Sequence, residues 1–296
     1  MTLRKQISKR TSVNTGVLIL ALIAASNALA GPINSHKDRL FAYPRVLEAR
    51  DGGSFRVIDY NEARDIDKRD QVPERRVRAA YVDNAARRAT RAMTVETSAG
   101  PLTYRFAGDL QNARFITIYI HGSGGNAKQG VNDFSFGGNF NRIKALMMKS
   151  GGAYLAPDAG TFSATDKQRL RDLFGAIAIS SASARIVIAC GSSGAAMCYS
   201  FASDRAIVPR LAGIMLFGGY PNVSYLSSPA GRARVPLLIA HGSRDTVFDV
   251  TRMEAFYTSV RRAGVPVKMV RFESGTHGTP IRMVDWREAL NWMLTN

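Results

Sequence analysis

Three side chains that together can turn a hydroxyl into a nucleophile occur in this chain in the order Ser192, Asp245, His277. A serine hydroxyl attacks poorly at neutral pH. It needs an imidazole to take its proton and a carboxylate to orient that imidazole. Each of the three lies just past a run with strand character: residues 186–189 before Ser192, 236–240 before Asp245 and 267–272 before His277. Open α/β sheets bind ligands beyond the carboxyl ends of their strands, so the three positions converge on one cleft.

The serine sits in Cys190-Gly191-Ser192-Ser193-Gly194. A strand that turns sharply at a serine and enters a helix at once needs small residues two places before and after it. With Ser192 as nucleophile those places hold Cys190 and Gly194. With Ser193 as the alternative nucleophile they hold Gly191 and Ala195. Ser192 is preferred because Gly194 then takes the second glycine position. A Gly/Ser turn without chemistry is the competing reading. For the acid, Asp249 rivals Asp245, and Asp245 could instead cap a helix. For the base, the chain offers His36, His121, His241 and His277. His121 and His241 precede glycines at strand ends, where they support turns, which leaves His277.

Acyl transfer develops charge on an oxygen, and N–H donors must already point there. The run Ile120-His121-Gly122-Ser123-Gly124-Gly125 can present them. The expected pair is the N–H of Ser193 with that of Ser123 or Gly124. A phosphate-binding reading fails. No acid ends the next strand about 20 residues on, and Ala127-Lys128-Gln129 stands where a nucleotide loop needs Gly-Lys-Ser/Thr. No spacing suggests a metal site, and no organic cofactor is expected. Phe134, Phe136 and Phe140 follow the loop and could line an acyl or aromatic pocket, with core packing the role of at least one.

The elements that must position these residues alternate regularly from about residue 90. Strands are expected at 93–97, 102–106, 115–120, 153–156, 185–189, 211–217, 236–240 and 267–272. Helices are expected at 141–148, 166–179 and 195–201, with a helical face at Met253, Phe256 and Val260. A final stripe at Trp286, Ala289, Leu290 and Met293 marks the last helix. Such alternation implies βαβ units and a mostly parallel sheet, with an antiparallel hairpin at one edge. No connection after residue 120 is long enough for a cap domain. Residues 31–90, with a short strand-like run at 55–60, read as an N-terminal extension packed on the domain formed by 91–296, the alternative being a flexible arm after the signal.

The chain has 296 residues and a formal charge of +17. Arg4, Lys5, Lys9 and Arg10 precede an apolar run at 17–25 and then Ala28-Leu29-Ala30, the layout of a cleaved secretory signal over residues 1–30. Export to the periplasm or outside the cell is therefore expected, with no transmembrane segment left after cleavage. Those four charges have no acid among them, so the remainder carries +13. An anionic surface or polymer is a candidate partner, although no long run of like charge singles one out. No nucleic-acid partner is expected. In an oxidising compartment Cys190 and Cys198 could be bridged, or could remain free buried thiols.

Taken together, the loop at 120–125, the elbow at Ser192, Gly242-Ser243-Arg244-Asp245 and Gly275-Thr276-His277-Gly278 resemble the α/β-hydrolase superfamily over residues 90–296. The elbow Ser192-Ser193-Gly194-Ala195 is similar to that of polyhydroxybutyrate-depolymerase and feruloyl-esterase-like members, which favours Ser192. Cys190 stands where a glycine is usual. The resemblance implies an α/β-hydrolase fold, with a mostly parallel central sheet flanked by helices and no cap. It implies a serine hydrolase, most readily of carboxylic esters, using Ser192, His277 and Asp245 on a small-molecule or polymeric ester. A thioesterase, an amidase or peptidase on the same triad, or a non-catalytic polyanion-binding protein on this scaffold are the alternatives.

Overall fold

The computed structural model describes residues 31–296; the signal assigned to residues 1–30 lies outside the described residues. Twelve strands run in chain order as β1 (Val46–Arg50), β2 (Phe55–Asp59), β3 (Asp70–Val72), β4 (Arg76–Val77), β5 (Arg91–Val95), β6 (Leu102–Gly108), β7 (Phe115–Ile120), β8 (Ala153–Pro157), β9 (Arg185–Gly191), β10 (Leu211–Phe217), β11 (Leu237–Gly242) and β12 (Val267–Glu273). The helices are α1 (Asp38–Phe41), α2 (Asn84–Ala89), α3 (Asn139–Lys149), α4 (Ala164–Ser180), α5 (Ala195–Ala202), α6 (Pro229–Arg232), α7 (Val250–Arg262), α8 (Thr279–Met283) and α9 (Trp286–Thr295).

Ten strands form one sheet in the order β1-β2-β12-β11-β10-β9-β7-β8-β6-β5, and β3 pairs with β4 apart from it. Pairing is parallel without a break from β8 through β7, β9, β10, β11 and β12 to β2. The β5–β6 hairpin is antiparallel at one edge, as the sequence predicts, and β1 is antiparallel at the other. Every residue of β7 is buried, which fits its uninterrupted apolar run.

Side chains alternate across the sheet and build two cores. One holds Ile186, Ile188 and Cys190 of β9 against Leu170 and Phe174 of α4, Met197 and Phe201 of α5, and Phe256 of α7. The other holds Val187 and Ala189 of β9 against Phe140 and Ile143 of α3, Ile281 of α8, and Trp286 and Leu290 of α9. This period of two is the geometry of a strand buried on both faces. Helices therefore cover both faces of the sheet, and the fold is that of the α/β hydrolases.

The sequence sets residues 31–90 apart as an extension packed on this domain. The structure instead takes part of that stretch into the sheet. β2 pairs with β12 from Phe55↔Met269 to Asp59↔Glu273, and residues 31–296 form one compact unit with no division at residue 90. The physical reason is β12, whose Met269, Val270 and Phe272 are buried and whose outer edge needs a partner. The nearest candidate in space comes from far upstream in the chain.

Candidate active site

Ser192 follows β9 directly and opens a helical turn (Ser192–Gly194) that runs straight into α5. Its φ is 52°. A non-glycine residue held in this left-handed region costs on the order of 1–3 kcal/mol, a strain that concentrates at functional sites. Gly194 permits the turn, because a β-carbon there would collide with the carbonyl oxygen of His121. Cys190 points instead to the α5 side and forms a disulfide with Cys198 on that helix. The strand before Ser192 and the helix after it are thus joined covalently.

His277 lies on the turn between β12 and α8. Its Nε2 is 2.8 Å from Ser192 Oγ, and its Nδ1 is 2.7 Å from Asp245 Oδ2. A carboxylate only accepts, so Nδ1 carries the ring proton, and Nε2 of the neutral ring accepts from the serine hydroxyl. Asp245, on the turn after β11, is held on its other side. Its Oδ1 accepts the N–H groups of Val247 at 2.8 Å and Phe248 at 3.0 Å. Its side chain is wholly buried. Burial alone would raise the Asp245 carboxyl, but the hydrogen bonds from His277, Phe248 and Val247 outweigh it and hold it below the ordinary carboxylate value. Asp245 thus stays ionised where its partner ring needs it.

The other candidates fall into supporting places. Ser193 follows the elbow, and the structure brings Ser192 to the imidazole. Asp249 is the N-cap of α7, accepting from Thr251 and Arg252, and its side chain serves that helix. His121 donates from Nδ1 to Gly122 O at 2.8 Å and accepts the Ala159 N–H at Nε2 at 2.9 Å. His241 donates from Nε2 to Phe248 O at 2.7 Å, which fixes the turn carrying Asp245. Burial lowers the His241 imidazole, which keeps it neutral and suited to that single bond. Both histidines hold turns, in line with their positions before glycines.

A cavity of about 160 Å³ opens beside Ser192 Oγ. Gly122, Ser123, Gln129, Ser192 and His277 line its polar side, and Tyr119, Phe136, Phe217 and Ile281 its apolar side. The loop at 122–125 is a turn closed by Gly125 N–H to Gly122 O at 3.1 Å. The N–H groups of its two central residues, Ser123 and Gly124, stay outside that bond. Ser123 lines the cavity, and Gly124 does not. The N–H of Ser193, in the first helical turn, has no upstream carbonyl to bond.

Of the three phenylalanines, only Phe136 lines this cavity. Phe140 is core and packs edge-on against Tyr119 at 4.7 Å. Phe134 lies under the guanidinium of Arg76. A second cavity of about 240 Å³ adjoins the first through Phe136 and Gly278, with Tyr60, Glu74 and Arg282 on its walls. Tyr119, Phe217 and Ile281 were not singled out from the sequence. Tyr119 carried a signal: a phenol in a strand buried on both faces must still place its hydroxyl.

Residues 31–90 supply support around the histidine. The Arg282 guanidinium, one turn beyond His277, donates to Asp70 at 3.1 and 2.8 Å and to Asp65 O at 3.1 Å. The Ser274 hydroxyl lies 2.7 Å from Glu273 O and 3.2 Å from Tyr60 O. Among the described residues no group of three or more His, Cys, Asp or Glu side chains is placed to hold a metal ion.

No protein-family model and no curated protein sequence matches the chain. Solved structures do. A putative α/β hydrolase of unknown function from Agrobacterium tumefaciens is similar at 14% identity and a TM-score of 0.53, covering 69% of this chain and 95% of its own. A thermostable esterase is similar at 17% identity and a TM-score of 0.53, covering 70% of this chain and 63% of its own. A lidless α/β serine hydrolase from Xanthomonas campestris is similar at 15% identity and a TM-score of 0.50, covering 70% and 94%. At these identities the likeness establishes the fold.

Proposed function

We propose that this chain is an exported carboxylic ester hydrolase that works through an acyl-enzyme on Ser192. The observation that carries the reading is the unbroken chain of hydrogen bonds from Ser192 Oγ through His277 to Asp245, at 2.8 and 2.7 Å. In the first half-reaction Ser192 Oγ attacks the ester carbonyl while His277 Nε2 takes its proton. Asp245 holds the ring in the tautomer that can do so and stabilises the imidazolium that forms. The oxyanion falls to the N–H groups of Ser193 and of Ser123 or Gly124, each worth about 10²–10³ in rate. His277 then protonates the departing alcohol. In the second half-reaction it activates the water that releases the acid.

Export is supported by the basic-then-apolar start of the sequence and by the Cys190–Cys198 disulfide, since disulfides persist in oxidising compartments. An anionic surface or polymer remains the partner that the basic charge would favour. The bond cleaved is decided by assaying the purified protein on matched p-nitrophenyl esters, thioesters and peptide amides. Ester turnover well above the other two is the expected result. Turnover of amides or thioesters alone would replace the ester with that bond. Salt-sensitive retention on a polyanion with no turnover at all would favour a binding protein.

A further inference from the structure

Tyr119 is 1% exposed, and its hydroxyl has no hydrogen-bond partner among the described residues. A buried phenol without a partner is unusual and calls for an account. Its ring is held by Phe140. Its hydroxyl ends beside Gly191, where a β-carbon would lie 2.6 Å from it, so a larger residue before Ser192 would have to displace the phenol. Tyr119 also lines the cavity at Ser192, where Phe136, Phe217 and Ile281 are apolar. Tyr119 thus adds a buried hydroxyl without a protein partner to the wall formed with Phe136, Phe217 and Ile281, across from the polar side of Ser123 and Gln129.

The leaving alcohol departs first and needs an open route. The group that stays on Ser192 until water arrives is the acyl group, so the acyl group occupies the buried end. A cavity of about 160 Å³ is near the size at which an apolar site in a protein admits benzene, roughly 150 Å³. It accommodates a short aliphatic or single-ring acyl group.

Resting on the ester reading above, we infer that Tyr119 is a specificity-determining residue: its hydroxyl donates to an oxygen carried by the acyl chain. The preferred substrates are then esters of short oxygenated acids, bearing a hydroxyl, ether or keto oxygen, over their hydrocarbon counterparts. A site that holds a donor for such an oxygen leaves it unpaired when the oxygen is missing, which is how polar discrimination arises.

The test compares shape-matched p-nitrophenyl esters: methoxyacetate against butyrate, and 3-methoxypropionate against pentanoate. Each kcat/KM is divided by the ester's own alkaline hydrolysis rate to remove intrinsic reactivity. Tyr119→Phe keeps the ring and its packing, and an unchanged melting temperature confirms the fold. The expected result is an ether preference of roughly tenfold in at least one pair, the scale of one hydrogen bond, which falls to near unity in Tyr119→Phe. Equal normalised rates in both pairs, or a preference that survives Tyr119→Phe, would overturn this inference alone. No turnover of any of the four esters would remove the ester reading and this inference with it.

Discussion

Residues 185–202 and residues 31–90 serve the same cleft by opposite means. The first stretch is a strand, a one-residue corner and a helix. It is closed by contacts within a few residues and by the Cys190–Cys198 disulfide. The second reaches the site through distant partners: β2 against β12, Asp70 against Arg282, and Arg56 against Glu288. One sets Ser192, the other braces the segment that carries His277. Local geometry and long-range bracing should therefore fail differently, with chemistry lost in one case and stability in the other.

The largest effect belongs to the nucleophile. Ser192→Ala should lower kcat by about 10⁴–10⁶ while leaving the melting temperature in place, which steady-state kinetics and calorimetry check together. Asp245→Asn keeps the shape but presents the wrong tautomer to the ring, and a fall of about 10⁴ in kcat is expected. A fall of only a few-fold would shift the acid role elsewhere.

On the bracing side, Asp70→Asn leaves the buried Arg282 charge without its counter-charge, although Asp65 O still accepts from it. A stability loss of about 3–5 kcal/mol is expected by denaturant unfolding, with turnover per folded molecule largely kept. An equal loss of turnover with intact stability would mean that residues 31–90 do chemistry. Replacing both cysteines by alanine opens an eight-residue loop and should cost about 2.5 kcal/mol on the chain-entropy account. The nucleophile should still react, because Gly194 and the helix survive.

The smallest effect is electrostatic. The folded-state pKa of Asp245 lies below its ordinary value. Its ionised form therefore stabilises the fold above about pH 4. That contribution is lost as pH falls through the depressed value. Unfolding midpoints between pH 6 and 3 should drop more steeply in the wild type than in Asp245→Asn. Parallel slopes would show that the carboxylate gains nothing from folding.

The same contrast explains what could be read from the sequence. The strands from β7 to β11 were legible because burial on both faces writes a continuous apolar run, as in 115–120, whereas β12 interrupts its apolar residues with Lys268 and Arg271. Ser192, Asp245 and His277 were legible because each lies just past an expected strand. Residues 31–90 were legible only in part: 55–60 reads as a short strand and holds β2, but its place in the sheet is fixed by pairing with Met269 to Glu273, more than 200 residues on. Asp70 reads as an ordinary surface acid until Arg282 is beside it. Cys190 looked out of place in the elbow because the pattern supposes a helix pressed against a bare strand. Its side chain is instead taken up by Cys198 on that helix. Phe136 was named among three candidates, and nothing in the sequence separates it from Phe134 and Phe140; only the folded cavity does.

The central claim is that Ser192, and no other serine, is the activated nucleophile. The direct measurement is labelling of the purified protein with a fluorophosphonate, repeated with Ser192→Ala and Ser193→Ala. The account predicts labelling of the wild type and of Ser193→Ala, and none of Ser192→Ala. Loss of labelling in Ser193→Ala alone, or an unlabelled but folded wild type, would contradict it.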